Sequence, residues 1–537
     1  MEHSKAAELI LTNGQFWTLD PACPFAQAVA VHTGRILRVG SWDQVKSLKA
    51  KSTHLIDLKG SFVVPGFIDC HTHFLDGGLS LSSLNLREAE SKTEFISLIQ
   101  QKAEVMDQGA WITDGQWDHH QFVSPQLPEK EWIDKVTPEN PVCIQRKDLH
   151  AVFANSLALH IAGITKHTPD PKGGEILRNL KTGEPTGVLM DSAADLVLKH
   201  IPEPSQKEKL KAAEKAIRLA HKKGVTSVHE MGPINHLEIY KKLHEQNKGD
   251  LRISLYPPLS LIDEWPEAEI KRKKKNQCCQ IRGLKSFVDG SLGSSTALFF
   301  DQYADDTGNK GILASDMFPK GKMEERIQKA EKAGFQLCVH AIGDRANHII
   351  LDIFEKVMQR NQKRDRRWRV EHAQHLIPED IVRMGQMGII ASVQPAHLID
   401  DGQWAEKRIG SSRIRYSFAL SSLLDNGVRL AMGSDWTVAP LDPLLGIFAA
   451  VTRETLDRKH PGGWIPMEKI SVQQAVRACT LDAAAAEFTE TMKGSIEAGK
   501  VADMAVMDQN LFEIDPSEIK DVQVLMTVFN GRVVYQK

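Results

Sequence analysis

Several things are scarce in this chain of 537 residues, and each scarcity closes off a class of function. Charge of one sign is scarce: the net charge is −2, so neither nucleic acid nor an anionic membrane is implied as a partner. Cysteine is scarce: there are 7, spread along the chain, and no C-x-x-C occurs. That excludes a disulfide framework and a thiolate zinc site, and leaves buried, reduced thiols as the expectation. No eighteen consecutive residues are apolar, so no membrane span is expected. The first residues lack a cationic start followed by an apolar core, so a cytoplasmic location is the default. The one basic run, Lys271 to Lys275, follows an acidic stretch and reads as a solvated loop or helix end. What remains, 42% hydrophobic and 25% charged residues, is ordinary for a globular protein. The length suits a large barrel plus a satellite domain, or three ordinary domains.

Both ends of the chain are rich in short strand-like runs. Glu8 to Leu11, Phe16 to Leu19, Ala28 to His32, Arg35 to Val39 and Thr53 to Asp57 are separated by turn signals such as Asn13-Gly14 and Thr33-Gly34. Ala502 to Asp508, Val522 to Phe529 and Arg532 to Tyr535 repeat the pattern, with Asn530-Gly531 as a hairpin turn. Neither end has a sufficient core alone. We therefore pair residues 1–65 with 487–537 as one small β-sandwich.

Between them, apolar runs alternate with amphipathic stretches such as Gln206 to His221, Lys322 to Ala333 and Ala346 to Arg360. That alternation predicts an α/β fold with a parallel sheet or barrel. Eight strands are expected: Phe67 to His71, Val142 to Arg146, Val225 to His229, Leu284 to Val288, Gln336 to His340, Arg369 to His372, Ile389 to Gln394 and Arg429 to Gly433. Eight closes a (β/α)8 TIM barrel over 66–486. The long gap after the first strand, about 75–200, is expected to hold inserted elements over the mouth, with a hairpin tip at Lys181 to Glu184.

The polar residues at these strand ends carry the chemistry. The run Val63 to Phe74, VVPGFIDCHTHF, ends in His71-Thr72-His73. Residues i and i+2 of a strand share a face, so both imidazoles project together, as the first half of a metal site. Cys70, between Asp69 and His71, points the other way and is expected to pack. Lys285 lies in the fourth strand, His340 ends the fifth, His372 ends the sixth and Asp435 follows the eighth. In a parallel barrel those ends converge at one face. Taken singly, each has a bland reading: His340 and His372 as hydrogen-bonded core residues, Asp435 as a helix cap, Lys285 as an interior cation. Together they form a set of metal ligands, and imidazole with carboxylate suits zinc, iron, manganese, cobalt or nickel.

The motifs PGFIDCHTHF, GVTSVHEMG, KSFVDGSLGSSTA, HAIGDRAN, RVEHAQ, ASVQPAH, GSDWTVAPLDP and GSIEAGKVADMAVMD resemble the amidohydrolase superfamily nearly end to end. Within it the chain is similar to the amidohydrolase-3, YtcJ-type branch that includes N-substituted formamide deformylases. The resemblance implies one or two divalent ions, zinc first. It implies His71 and His73 on the more buried ion, His340 and His372 on the other, and Lys285 carbamylated as a bridge. Asp435 is implied as ligand and proton shuttle, with His372 or His340 steadying the oxyanion. An ammonium beside two dications is disfavoured by like-charge repulsion, which supports the carbamate; an unmodified Lys285 corresponds to one ion. Homodimers are common in the family.

The expected activity is hydrolysis of a non-peptide C–N bond in an amide, formamide or cyclic amide, by a metal-activated water. Asp289, Asp344 and Glu371 are read as groups that fix the ligands or order loops. Substrate contacts are expected from Trp117, Asp118, Asp148, His150, Gln394 and His397, with Trp436 as an apolar wall. Two other readings stay open. A hydrolytic deaminase uses the same water, but purine deaminases keep a His-x-x-Glu after the fourth strand, where this chain has Lys285 to Asp289. A non-catalytic ligand-binding barrel would have lost a ligand position, and none is lost.

Overall fold

The computed structural model describes residues 6–81, 84–87, 89–265 and 279–537. The basic run Lys271 to Lys275 lies outside the described residues. The described residues form five sheets and a set of helices that alternate with strands through the middle of the chain.

Two of the sheets are wholly parallel and carry the centre of the molecule. One runs in the order Cys279–Ile281, Arg252–Leu255, Val225–Glu230, Phe67–Thr72. The other runs Gly283–Phe287, Gln336–Ala341, Arg369–His372, Ile390–Val393, Leu430–Met432. Cys279–Ile281 and Gly283–Phe287 are consecutive, so the two sheets share one strand interrupted at Arg282. At the far edges Thr72 bridges Trp436 in parallel, which brings the last strand back beside the first. The strands are buried on both faces, as parallel strands under helices must be.

The helices follow from local signals. Ser205 and Glu208 form a capping box that starts Gln206–Lys222, and Ala212, Ala213, Ala216, Ile217 and Ala220 form its buried stripe. Gly388 takes the left-handed conformation that stops Pro378–Met387. Gly66, just before the first parallel strand, is needed for a close approach: a Cβ there would sit 2.4 Å from Thr226 Oγ1.

One expected strand belongs elsewhere. Val142–Arg146 pairs with Ile112–Trp117 and Ala151–Ala154 in a separate six-stranded sheet; Val225–Glu230 lies directly beside Phe67–Thr72, and Arg252–Leu255, on its other side, makes up the number of parallel strands. The reason is burial. Ile144 faces one hydrophobic cluster and Cys143 another, so both faces of this strand are covered and its apolar run looks like a barrel strand. Arg252–Leu255 is only four residues long and includes Ser254, which bonds Glu487. This sheet comprises strands between Leu84 and Asp191, and its Gly174–Arg178 and Pro185–Asp191 strands form the hairpin expected around Lys181 to Glu184.

The two ends of the chain meet at Phe62–Pro65, which pairs antiparallel with Met504–Met507. Alternation divides these strands between two cores. Val63, Met504 and Val506 join a cluster with Leu9, Leu11, Val29 and Val528, while Val64, Ala505 and Met507 join the main core. The sheet that includes them therefore packs on both. Among the described residues, no helix is long and apolar enough to cross a membrane.

Candidate metal centre

The first and last parallel strands are joined at their C-terminal ends by main-chain bonds: Asp435 N donates to His71 O at 2.7 Å, and His73 N to Trp436 O at 2.6 Å. This is what carries Asp435 to His71 and His73. His71 Nε2 lies 3.5 Å and His73 Nε2 3.4 Å from Asp435 Oδ1. Residues 435 and 372 both have positive φ, 55° and 71°, a conformation rare outside glycine and one that concentrates at functional sites. His372 sits with its ring 5.1 Å from that of His71. Lys285 Nζ donates to His71 Nε2 at 3.5 Å and lies over the Phe287 ring.

Two groups of donors emerge, each with all ligand atoms within 4.8 Å: His71, His73 and Asp435, and His372, His397 and Asp435. Asp435 is common to both. His397, expected to touch substrate, lines the adjoining cavity and also lies among the donors, with Nε2 4.0 Å from Asp435 Oδ2. His340, expected as a ligand, stands outside both groups. Its ring is 4.5 Å from that of His372, but Nε2 donates to the Gly290 carbonyl at 3.0 Å, so it adjoins the donor groups without joining them.

Burial favours neutral imidazoles at His71, His372 and His397; at His73 burial acts in the same direction, but Asp435 outweighs it and raises the imidazole. Burial, followed by the Lys285 charge, pushes His71 down to about 4. Burial and the neighbouring His340 hold His372 far below the ordinary range. Burial alone would raise Asp435, yet His71 and His73 hold it well below the carboxylate range, and burial lowers Lys285. Glu371 accepts from His71 Nδ1 at 2.5 Å, leaving Nε2 facing Asp435. Asp289 braces main chain instead, accepting from Leu298, Ile342 and Gly343 N–H groups at 2.8–3.0 Å. Asp344 accepts from Phe300 N. Cys70 packs against Ser392, turned from the donors.

These residues fit a bound divalent cation. Asp435 Oδ1, His372 Nδ1 and His397 Nε2 are buried and have no hydrogen-bond partner. Three buried heteroatoms without partners cost about 1–3 kcal/mol each unless something satisfies them. They converge with two more imidazoles, which is the donor chemistry of a zinc-like ion.

The donors open onto a cavity of about 660 Å³ lined by His340, His372, His397 and Asp435 on one side. The other side comes from the inserted sheet: Asp118, Arg146, Lys147, Asp148 and His150. Asp118, Asp148 and His150, expected to contact substrate, line this cavity. Trp117 and Gln394 do not. Trp117 is fully buried in the core of the inserted sheet, where its Nε1 donates to Ile144 O at 3.0 Å. Gln394 folds back to donate to Ser392 O at 3.1 Å. Trp436 packs on Phe74 and Gly77 rather than on the cavity. Arg146 and Lys147 were overlooked; the signal was there, as three consecutive charged residues, Arg146-Lys147-Asp148, closing an apolar strand. Asp118, His119 and His120 also group within 4.8 Å, but Arg146 lies 3.2 Å from Asp118 and opposes a second cation there.

The comparisons with known proteins point one way. The family profile described as "Amidohydrolase family" matches residues 54–535. Protein LONG AFTER FAR-RED 3 of Arabidopsis thaliana is 38% identical over 98% of this chain and 92% of its own. Putative amidohydrolase YtcJ of Bacillus subtilis is 33% identical over 95% of this chain and 96% of its own. N-substituted formamide deformylase of Arthrobacter pascens is 29% identical over 99% and 98%. Among solved structures, an uncharacterized metal-dependent hydrolase from Pyrococcus horikoshii superposes with TM-score 0.77 at 23% identity, over 95% of this chain and 99% of that one.

Proposed function

The chain belongs to the amidohydrolase family, and on that premise we propose that it hydrolyses a non-peptide C–N bond of an amide, formamide or cyclic amide, with one or two zinc ions at the Asp435 cage. The observation that carries this reading is the convergence of buried, unpartnered Asp435 Oδ1, His372 Nδ1 and His397 Nε2 with His71 and His73. We read the eight parallel segments as a (β/α)8 barrel over 66–486, supported by the Thr72–Trp436 return. We read 1–65 with 487–537 as a sandwich, supported by the shared cluster from Leu9 to Val528, whose C-terminal members begin at Ile496.

When bound, a divalent cation lowers the pKa of water from 15.7 towards about 7 and polarises a carbonyl. His71, His73, His372, His397 and Asp435 would hold it. His340, beside His372 with its Nε2 on the Gly290 carbonyl, would flank the ion rather than hold it. Asp435 would accept the proton of the attacking water and return it to the departing nitrogen. His150, which bonds Asp191 at 2.6 Å and faces His340, would donate to the substrate oxygen. Lys285, buried and next to His71, would react through Nζ with carbon dioxide, forming an N–C bond and losing a proton. The cavity wall of Leu292, Ile399, Trp404, Leu445 and Leu456 would take an apolar substituent on the amide nitrogen.

The test is a zinc-supplemented screen of N-formyl, N-acyl and cyclic amides, with amino-heterocycles included, beside a stoichiometric metal assay. Turnover of an N-substituted amide, abolished by chelation and restored by zinc, is the expected result. Release of ammonia from amino-heterocycles alone would replace the proposal with a deaminase. Tight ligand binding without turnover would replace it with a binding protein.

A further inference from the structure

A chain of buried charged and polar side chains runs from the cage to the opposite end of the parallel strands. It starts at Glu371, which accepts from His71 Nδ1 at 2.5 Å. Arg369, two residues earlier on the same strand face, donates from Nη2 to Glu371 Oε2 at 3.1 Å and sets Nε 2.8 Å from Oε1. The same guanidinium donates to Cys70 O and Ser392 Oγ, which fixes its plane. Its Nη1 donates to His229 Nδ1 at 2.8 Å. That bond makes His229 an acceptor at Nδ1, so its proton sits on Nε2, 3.6 Å from Glu487 Oε2. Glu487 is held by Lys493 at 2.5 Å and by Thr489 at 2.9 Å.

The far end of this chain lies at the N-terminal ends of the strands. Gln336, which opens the strand that His340 nears the end of, donates to Ala486 O beside Glu487. Every member is buried: the side chains of Arg369, Glu371 and His229 are 0% exposed, Glu487 1% and Lys493 4%. Two ion pairs bridged by a neutral imidazole are costly to bury, and apolar residues of similar volume would often be as stable. Carboxylates behind metal-binding histidines fix the tautomer and ring orientation.

We propose that Arg369, His229 and the Glu487–Lys493 pair are positioning residues for His71, acting through Glu371. Arg369 fixes the carboxylate of Glu371 in line with Nδ1, so the His71 proton stays on Nδ1 and Nε2 is presented to the cage. His229 carries the orientation of Arg369 to Glu487, which ties the segment after the last barrel helix to the metal centre. This rests on the proposed metal site, and its test reads the ion directly.

The experiment is cobalt(II) titration of the ion-free full chain, following the visible d–d bands, on wild type, Glu371→Gln, Arg369→Lys and Glu487→Gln, with thermal melts of each. Glu371→Gln should lose 10- to 100-fold in cobalt affinity. Arg369→Lys should lose less, and Glu487→Gln least, with bands shifted in the same direction for all three. Melting temperature lowered with cobalt affinity and spectrum unchanged, in Arg369→Lys and Glu487→Gln alike, would overturn the proposal and leave a structural network. If Arg369→Lys does not fold, the milder Glu487→Gln alone decides. Wild type that takes up no cobalt would overturn the metal site itself, and the relay with it.

Discussion

The two walls of the cavity handle charge differently. On the wall from the inserted sheet, Arg146 sits 3.2 Å from Asp118 and 2.5 Å from Asp148, Lys147 pairs with Asp400, and His150 bonds Asp191 at 2.6 Å. On the wall from the parallel strands, the ion-pair contacts of Asp435 among the described residues are to imidazoles, at 3.4–4.0 Å, and its Oδ1 bonds none of them. A surface whose charges neutralise one another shapes a site and orders its loops. Arg146 Nε and Asp191 Oδ2 on the inserted wall also have no partner, but there each side chain is held by an ion pair, whereas on the strand wall the unpartnered carboxylate oxygen and two imidazole nitrogens converge on one point. That difference is why we propose the chemistry for the strand ends and selectivity for the inserted sheet.

The strongest way to break that contrast is to change one carboxylate on each wall. Asp435→Asn keeps the shape but loses the proton acceptor, so turnover should fall 10²- to 10⁴-fold. Asp148→Asn should alter KM with kcat largely kept. Steady-state kinetics on the substrate found by screening, with metal content measured for each variant, checks both. A zinc-replete Asp435→Asn protein with wild-type turnover would sink the assignment.

Acid stability sharpens the contrast with a smaller effect. His71 is held at about 4 when folded, so below its ordinary value near 6.5 the unfolded chain binds the proton first. Its contribution is therefore intact above about pH 6.5 and lost as pH falls through about 4, amounting to up to ~3 kcal/mol. His150 has the opposite sign: burial lowers it, but Asp191 outweighs burial and raises it. Its contribution is present below about pH 6.5 and lost on going alkaline through the folded value. In thermal melts of ion-free protein from pH 8 to 4, His71→Asn should flatten the acid loss and His150→Asn should steepen it. Parallel profiles for the two variants would show that the walls do not differ in this way.

The smallest effect is expected where the sequence suggested a contact that the fold withdrew. Trp117→Phe removes the bond to Ile144 O, worth about 1 kcal/mol, and should leave kcat and KM unchanged because Trp117 does not reach the cavity. A Trp117→Phe protein with altered KM would return that residue to the substrate site.

The strand ends were legible because their signal is local. His71-Thr72-His73 at the end of a largely apolar run, and single polar residues closing other such runs, need only the two-residue repeat of a strand to be interpreted. The C-terminal hairpin was legible from its turn, Asn530-Gly531, which joins Val524–Phe529 to Arg532–Gln536. Val142–Arg146 was misplaced because an apolar run covered on both faces looks the same in any sheet. Trp117 and Gln394 were assigned to substrate because an aromatic or amide side chain near a strand end does not reveal where it points.

Sequence alone determined which residue types could hold an ion and that they sat at the ends of apolar strands, because alternation and residue chemistry are properties of a few neighbouring positions. Only the tertiary structure decided that His397 joins Asp435 while His340 turns to Gly290, and that Arg369 reaches His229. Those choices depend on side-chain directions set by strands hundreds of residues apart, and a packed core permits a single arrangement of them.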